Sequence, residues 1–227
     1  MHIEPGVVQG AKMALSYATG AAAFGITARA AWEAMREKGI VSLAARSLIT
    51  TALVFVFFEV LPHFPKGISE VHFIFGTTLY LLFGPAAAAI GLAAGLLLQG
   101  VFFAPFDLPQ YGINVSTLLF PLFAIHVLAK RIIPADTPYT ELGYGQVLRL
   151  SLAFQAGIIG WVMFWALYGH GFGAENLRQI GIFGAYYILV VAVEPLLDLM
   201  VLAVARNFRR FSASGLFTPR LFNPARA

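Results

Sequence analysis

Apolar runs long enough to cross a bilayer recur along the whole 227-residue chain, parted by short stretches of proline, glycine and charge. A hydrocarbon core about 30 Å thick takes about 20 apolar residues of helix to cross. A soluble domain of this size has no room to hide so many runs. Only 11% of the residues are charged, where a soluble domain carries about a quarter. Lipid is therefore the solvent, and each backbone polar group must find its partner within the protein. The runs read as helices, so the expected fold class is an all-α integral membrane bundle of about seven transmembrane helices.

The expected spans are 8–32, 42–61, 72–83, 85–104, 113–131, 146–168 and 178–206. Pro85 after Gly84 marks the break between the third and fourth, since proline suits a first helical turn. The third is too short to cross the hydrocarbon alone and is expected to start inside the protein. Residues 1–210 form one membrane domain, and 211–227 form a short, basic, loosely ordered tail.

Charge orients the spans. One set of loops and ends carries Arg29, Arg36, Lys38, Arg46, Lys130, Arg131, Arg149, Arg206, Arg209, Arg210, Arg220 and Arg226; the other carries only Lys12, Lys66 and Arg178. Cytoplasmic loops collect Lys and Arg. The amino terminus is thus expected outside and the carboxyl terminus in the cytoplasm.

The chain has no cysteine, which excludes disulfides and thiolate metal sites. Met1-His2-Ile3-Glu4-Pro5-Gly6 has no basic stretch or cleavage site of a signal peptide. His2 is too large for removal of the initiator methionine, so a free Met1 amine is expected. Small residues crowd the helices: Ala21-Ala22-Ala23 and Gly25, the pair Gly91 and Gly95, and Gly157 with Gly160. They suit close packing inside the bundle or a surface for a partner membrane protein.

Polar groups at membrane depth are the candidates for function. The five histidines, His2, His63, His72, His126 and His170, show no H-x-x-x-H or H-E-x-x-H spacing, which argues against a metalloprotease or a histidine-box oxidase. Neither a G-x-S-x-G motif nor a phosphate-binding loop is present. His2 is different. A second-residue histidine can offer one metal the terminal amine, its own deprotonated amide and its imidazole Nδ1, closing a five- and a six-membered ring in one plane. Ni(II) and Cu(II) favour such tetragonal nitrogen sites, and low-spin Co(II) accepts one. One in-plane position remains.

Met1-His2-Ile3 with Gly6 resembles the start of the CbiM/NikM family, the substrate-binding membrane subunits of energy-coupling-factor (ECF) cobalt and nickel importers. A longer stretch is similar too: Val71-His72, then Leu82-Phe83-Gly84-Pro85-Ala86-Ala87, Leu96 to Phe103 with Gln99 and Gly100, and Gly112-Ile113-Asn114-Val115. Together the two matches cover about a quarter of the chain.

The resemblance implies a four-nitrogen site: the Met1 amine, the His2 amide and imidazole, and the His72 imidazole. Ni(II) or Co(II) would be the transported substrate. It implies an ECF T-type membrane subunit, two ABC ATPases and a small accessory membrane subunit as partners, in a bacterial cytoplasmic membrane. This chain carries no ATP site. Asn114 either holds the amino-terminal segment or caps a helix. Ser69 and Glu70 either support His72 or, for Glu70, form a solvated loop charge. Glu194 and Asp198 lie four apart on one helix face; Glu194 either pairs within the bundle or faces the cavity or a partner, and Gly91 and Gly95 are further partner-facing candidates. His126 reads as a packed or hydrogen-bonded histidine, and His63 and His170 as loop residues. Departures from the family are Glu4-Pro5-Gly6-Val7-Val8, Ser116-Thr117, Lys12 at a usually apolar position, and Pro195 after Glu194. The rival readings are a vitamin-specific ECF subunit, a stand-alone metal permease and a membrane enzyme.

Overall fold

The computed structural model describes residues 3–224, the side chain of Arg209 excepted. Its long helices are α1 (Met13–Phe55), α2 (Gly76–Phe102), α3 (Tyr111–Ile132), α4 (Tyr144–His170) and α5 (Ala174–Ala205). Each belongs to a helical stretch long and apolar enough to cross a membrane. A hairpin of β1 (Phe64–Lys66) and β2 (Ser69–Val71) separates α1 from α2. The fold is therefore an all-α membrane bundle carrying one small hairpin.

Five membrane-length helices stand where seven were expected, because two of them are interrupted by a glycine rather than a loop. Gly39 (φ 80°, ψ 164°) breaks α1 and Gly84 (φ 84°, ψ 166°) breaks α2. The break in α2 strips two carbonyls of their helical donors. The Leu82 carbonyl accepts from the Thr218 N–H at 2.8 Å. The Phe83 carbonyl accepts from Arg46 Nη1 at 2.7 Å. A side chain at Gly84 would strain this positive φ and put a Cβ 3.0 Å from Thr218 Oγ1. Pro85 then opens the second half of α2.

The same break docks the carboxyl-terminal segment. Ser42 Oγ donates to the Gly215 carbonyl at 2.7 Å, and Arg220 Nη2 donates to the Pro134 carbonyl at 2.6 Å. Leu221 is fully buried. Residues 215–222 are thus packed, contrary to the expected loose order. The Leu82 carbonyl of α2 and the Pro134 and Thr137 carbonyls of the loop after α3 supply the partners.

α2 also starts later than expected, at Gly76 rather than 72. Residues 72–75 are non-helical, and Phe75 sits in the left-handed region (φ 54°). Glu194 of α5 accepts the Ile74 N–H there. Gln155 of α4 donates to Glu194 Oε2 at 2.5 Å, and Tyr187 OH donates to Gln155 Oε1 at 2.5 Å. One turn along, Asp198 accepts from Thr78 at 2.5 Å and from Ser151 at 2.6 Å. Glu194 and Asp198 are almost wholly buried, so Glu194 does not face a partner; it anchors the start of α2.

Gly91 and Gly95 are corrected in the same way. A Cβ at Gly91 would lie 2.3 Å from Thr50 Oγ1, and one at Gly95 would lie 2.6 Å from Val54 Cγ1. Both positions let α1 and α2 touch backbone to backbone, inside the bundle. Thr50 Oγ1 donates to the Ala87 carbonyl at 2.7 Å across this seam. A Cβ at Gly25, by contrast, meets no atom within 4 Å. Gly91→Val is expected to lower stability by about 1–3 kcal/mol through overpacking and Gly25→Ala to be neutral, as measured by thermal unfolding of the purified protein in detergent.

Candidate metal site at the amino-terminal end of the bundle

The chain before α1 does not extend the helix. Gly6 (φ 97°) and Gly10 (φ 60°) turn it, and the helix begins with a short 3-10 turn at Gly10–Lys12. Residues 3–8 instead run into the bundle. The Ile3 N–H donates to Asn114 Oδ1 at 2.9 Å. Ile3 pairs with Ser69 as an antiparallel bridge beside β2. The Glu4 N–H donates to the Ile68 carbonyl at 3.1 Å, and Gln110 Nε2 reaches the Glu4 carbonyl at 3.4 Å. Ile3, Val7 and Val8 pack with Ile113 and Trp165 in an apolar cluster of their own.

The end of α4 holds the other side of this segment. A Cβ at Gly169 would stand 2.0 Å from the Val7 carbonyl oxygen, so only glycine lets the backbones meet. Lys12 Nζ donates to the Gly169 carbonyl at 2.8 Å, a cation on the electronegative end of a helix. That contact accounts for a lysine where an apolar residue would be usual. His170 Nε2 donates to the Gly6 carbonyl at 3.3 Å.

His72 follows β2 directly and is 1% exposed. Its Nε2 lies 2.8 Å from Glu70 Oε2. An ionised carboxylate only accepts, so Nε2 carries the proton and Nδ1 carries the lone pair. A histidine whose second nitrogen is held by a carboxylate is the usual form of an oriented metal ligand. Glu70 is thus half-buried against His72 and is not a solvated loop charge. Burial, helped by the nearby Glu70 charge, holds the Glu4 carboxyl above its ordinary pKa.

The hairpin register brings in a residue that sequence spacing hides. Phe64 pairs with Val71 and Lys66 with Ser69, so the next rung sets His63 opposite His72. Their rings stack with centroids 5.1 Å apart at 15°, and Phe58 lies 5.3 Å from the His72 ring. Asp107, 5% exposed, is a second such residue; with Asn114 it lines one small void under the amino-terminal segment. Its signal in the sequence is a lone carboxylate between Phe106 and Leu108.

Met1 and His2 lie outside the described residues. Of the remaining site residues, the structure brings Ser69, Glu70, His72 and Asn114 to one end of the bundle. Asn114 lies in the first turn of α3, which starts at Tyr111, and bonds Ile3 instead of capping the helix. His126 is distant, near the other end of α3, with its Nδ1 3.3 Å from Tyr80 OH. Among the described residues no three His, Cys, Asp or Glu side chains are grouped to hold a metal ion.

The profile of the CbiM family, described as the cobalt uptake substrate-specific transmembrane region, matches residues 2–211. The chain belongs to that family. CbiM proteins are membrane components of metal uptake, so this one is a multi-pass transport protein and not an enzyme. Two solved structures share the fold. One, described as a transition metal transporter, is 19% identical with a TM-score of 0.64 and covers 94% of each chain. The other, a truncated transition metal transporter, is 18% identical with a TM-score of 0.63, covering 92% of this chain and 99% of that one. No curated protein sequence matches.

Removing the Asn114 acceptor leaves a buried amide unpaired, at a cost of about 1–3 kcal/mol. Asn114→Ala is expected to speed hydrogen exchange at Ile3 and Glu4 while leaving α4 and α5 protected, read by mass spectrometry of peptic fragments.

Proposed function

We propose that this CbiM-family chain captures Ni(II) or Co(II) as the substrate subunit of an ECF-type importer. The observation that carries this is the double anchoring of Ile3, on Asn114 and on Ser69, in the strand that runs to buried His72. Two residues of extended chain span about 7 Å. A chelate built by Met1 and His2, directly before Ile3, would thus start from the end of the bundle that holds His72. The Met1 amine, the His2 amide and imidazole, and His72 Nδ1 would then complete a planar set of four nitrogens.

In this reading Ser69 and Asn114 hold the chelating segment by its backbone, and Glu70 orients His72. The excess of Lys and Arg at the opposite end supports a cytoplasmic carboxyl terminus and an outward-facing metal site in a bacterial inner membrane. Energy for inward release comes from elsewhere: a T-type membrane subunit, two ABC ATPases and a small accessory membrane protein. The outward face of α1, with Ala21, Ala22 and Gly25 exposed, suits a sliding contact with such a partner better than buried Gly91 and Gly95 do.

Inserting one alanine between Met1 and His2 keeps every side chain but breaks the two-ring chelate. Native protein is expected to bind Ni(II) with the absorption band of a planar site, and the inserted form and His2→Ala to lose it, in titrations followed by absorption and calorimetry. Equal binding by the inserted form would refute the chelate. His72→Ala is expected to weaken binding without unfolding the bundle. Glu70→Gln should cost about 10–100-fold in affinity, the usual effect of losing a carboxylate behind a ligand histidine. Metal uptake into cells by this chain alone, without ATPase partners, would sink the importer assignment.

A further inference from the structure

A cavity of about 860 Å³ lies at the other end of the bundle. Asn114 and Lys130, which mark the two ends, are sixteen residues apart on α3, or about 24 Å of helix. Arg46 lines the cavity although it is only 2% exposed. Its Nη1 serves the Phe83 carbonyl and its Nε reaches the Ser42 carbonyl at 3.3 Å. Its Nη2 is buried and has no hydrogen-bond partner among the described residues. A buried cation with an unused donor is costly unless something fills it.

Most of the other charged groups on the wall have the same sign. α2 restarts at Pro85 beside the cavity, so Gly84, Pro85 and Ala86 present the electropositive end of an 18-residue helical segment. Lys38, Lys130 and Arg220 also line it. Two carboxylates share the wall, Glu33 and Glu37, and Glu33 is paired to Arg29 at 3.1 Å. Four cations and a helix amino terminus thus face two carboxylates, one of them already engaged.

We propose that this cavity is a binding site for a phosphate group, seated on Arg46 Nη2 and the amino-terminal end of the restarted helix. A guanidinium N–H and a helix amino terminus both donate to a phosphate oxyanion. Lys38 and Lys130, both exposed, guide it from the rim. Basic pockets between transmembrane helices near a membrane surface take the headgroups of anionic lipids, and a free phosphate ion presents the same oxygens. The site is separate from the metal site and does not depend on which metal is carried.

The test uses the full-length protein in detergent with three probes: short-chain phosphatidylglycerol, short-chain phosphatidylcholine and inorganic phosphate. Binding is read by native mass spectrometry and by the shift in unfolding temperature. Phosphatidylglycerol is expected to bind more tightly than the zwitterionic lipid. The Lys38→Gln/Lys130→Gln protein, altered only at exposed positions, should lose about fivefold in affinity per lysine. Arg46→Gln should abolish binding; should it fail to fold, the double variant decides. Phosphatidylglycerol binding without a response to inorganic phosphate assigns the site to a lipid headgroup. A response to both, weakened alike in the double variant, assigns it to phosphate itself. Equal affinity for the two lipids with no response to phosphate, or unchanged affinity in the double variant, overturns the proposal.

Discussion

Backbone satisfaction in lipid is the constraint on which this structure depends. A peptide group left unpaired in hydrocarbon costs several kcal/mol, yet the chain leaves the helical path both just before its second long helix and within it. At the start, Glu194 takes the N–H of Ile74. In the middle, Arg46 and Thr218 serve the carbonyls of Phe83 and Leu82. Each interruption is closed by a polar group delivered from a distant part of the chain. The buried charges of this protein are therefore first of all the means by which α2 departs from a continuous helix.

Those departures have consequences at both ends. Ending the helix at Gly76 instead of continuing it to His72 frees residues 69–75 to run as a strand and a bent connector. Ile3 can then pair with Ser69, and His72 can sit buried against Glu70. Ending it again at Gly84 opens the wide basic cavity and gives the carboxyl-terminal segment its docking site. The close seam of Gly91 and Gly95 with Thr50 and Val54 holds the two halves of this arrangement against α1.

Several features were legible in the sequence for plain physical reasons. Scarce charge and recurrent apolar runs required lipid and helices. Gly84-Pro85 marked a break, since one residue tolerates positive φ and the other cannot continue a helix. The pattern from Val71 to Val115 pointed to the family whose profile covers residues 2–211. Other features were not legible. Gly39 broke α1 without a loop, which periodicity does not register, so helical segments read as separate run on as one long helix. Gly91, Gly95 and Glu194 carry the same local pattern whether they face a partner or the interior. The hairpin set His63 across from His72 through a pairing register, and nine residues of separation gave no hint of it.

Sequence alone determined the solvent, the fold class, the family and the residue types able to hold a transition metal, because these depend on composition, run length and local motif. Only the tertiary structure decided which polar groups meet. Asn114 holds Ile3 across 111 positions, Glu194 holds Ile74 across 120, and Arg46 holds Phe83 across 37. The physical reason is that an orphaned backbone group accepts any suitable donor or acceptor brought within reach, and reach is set by helix packing, not by position along the chain.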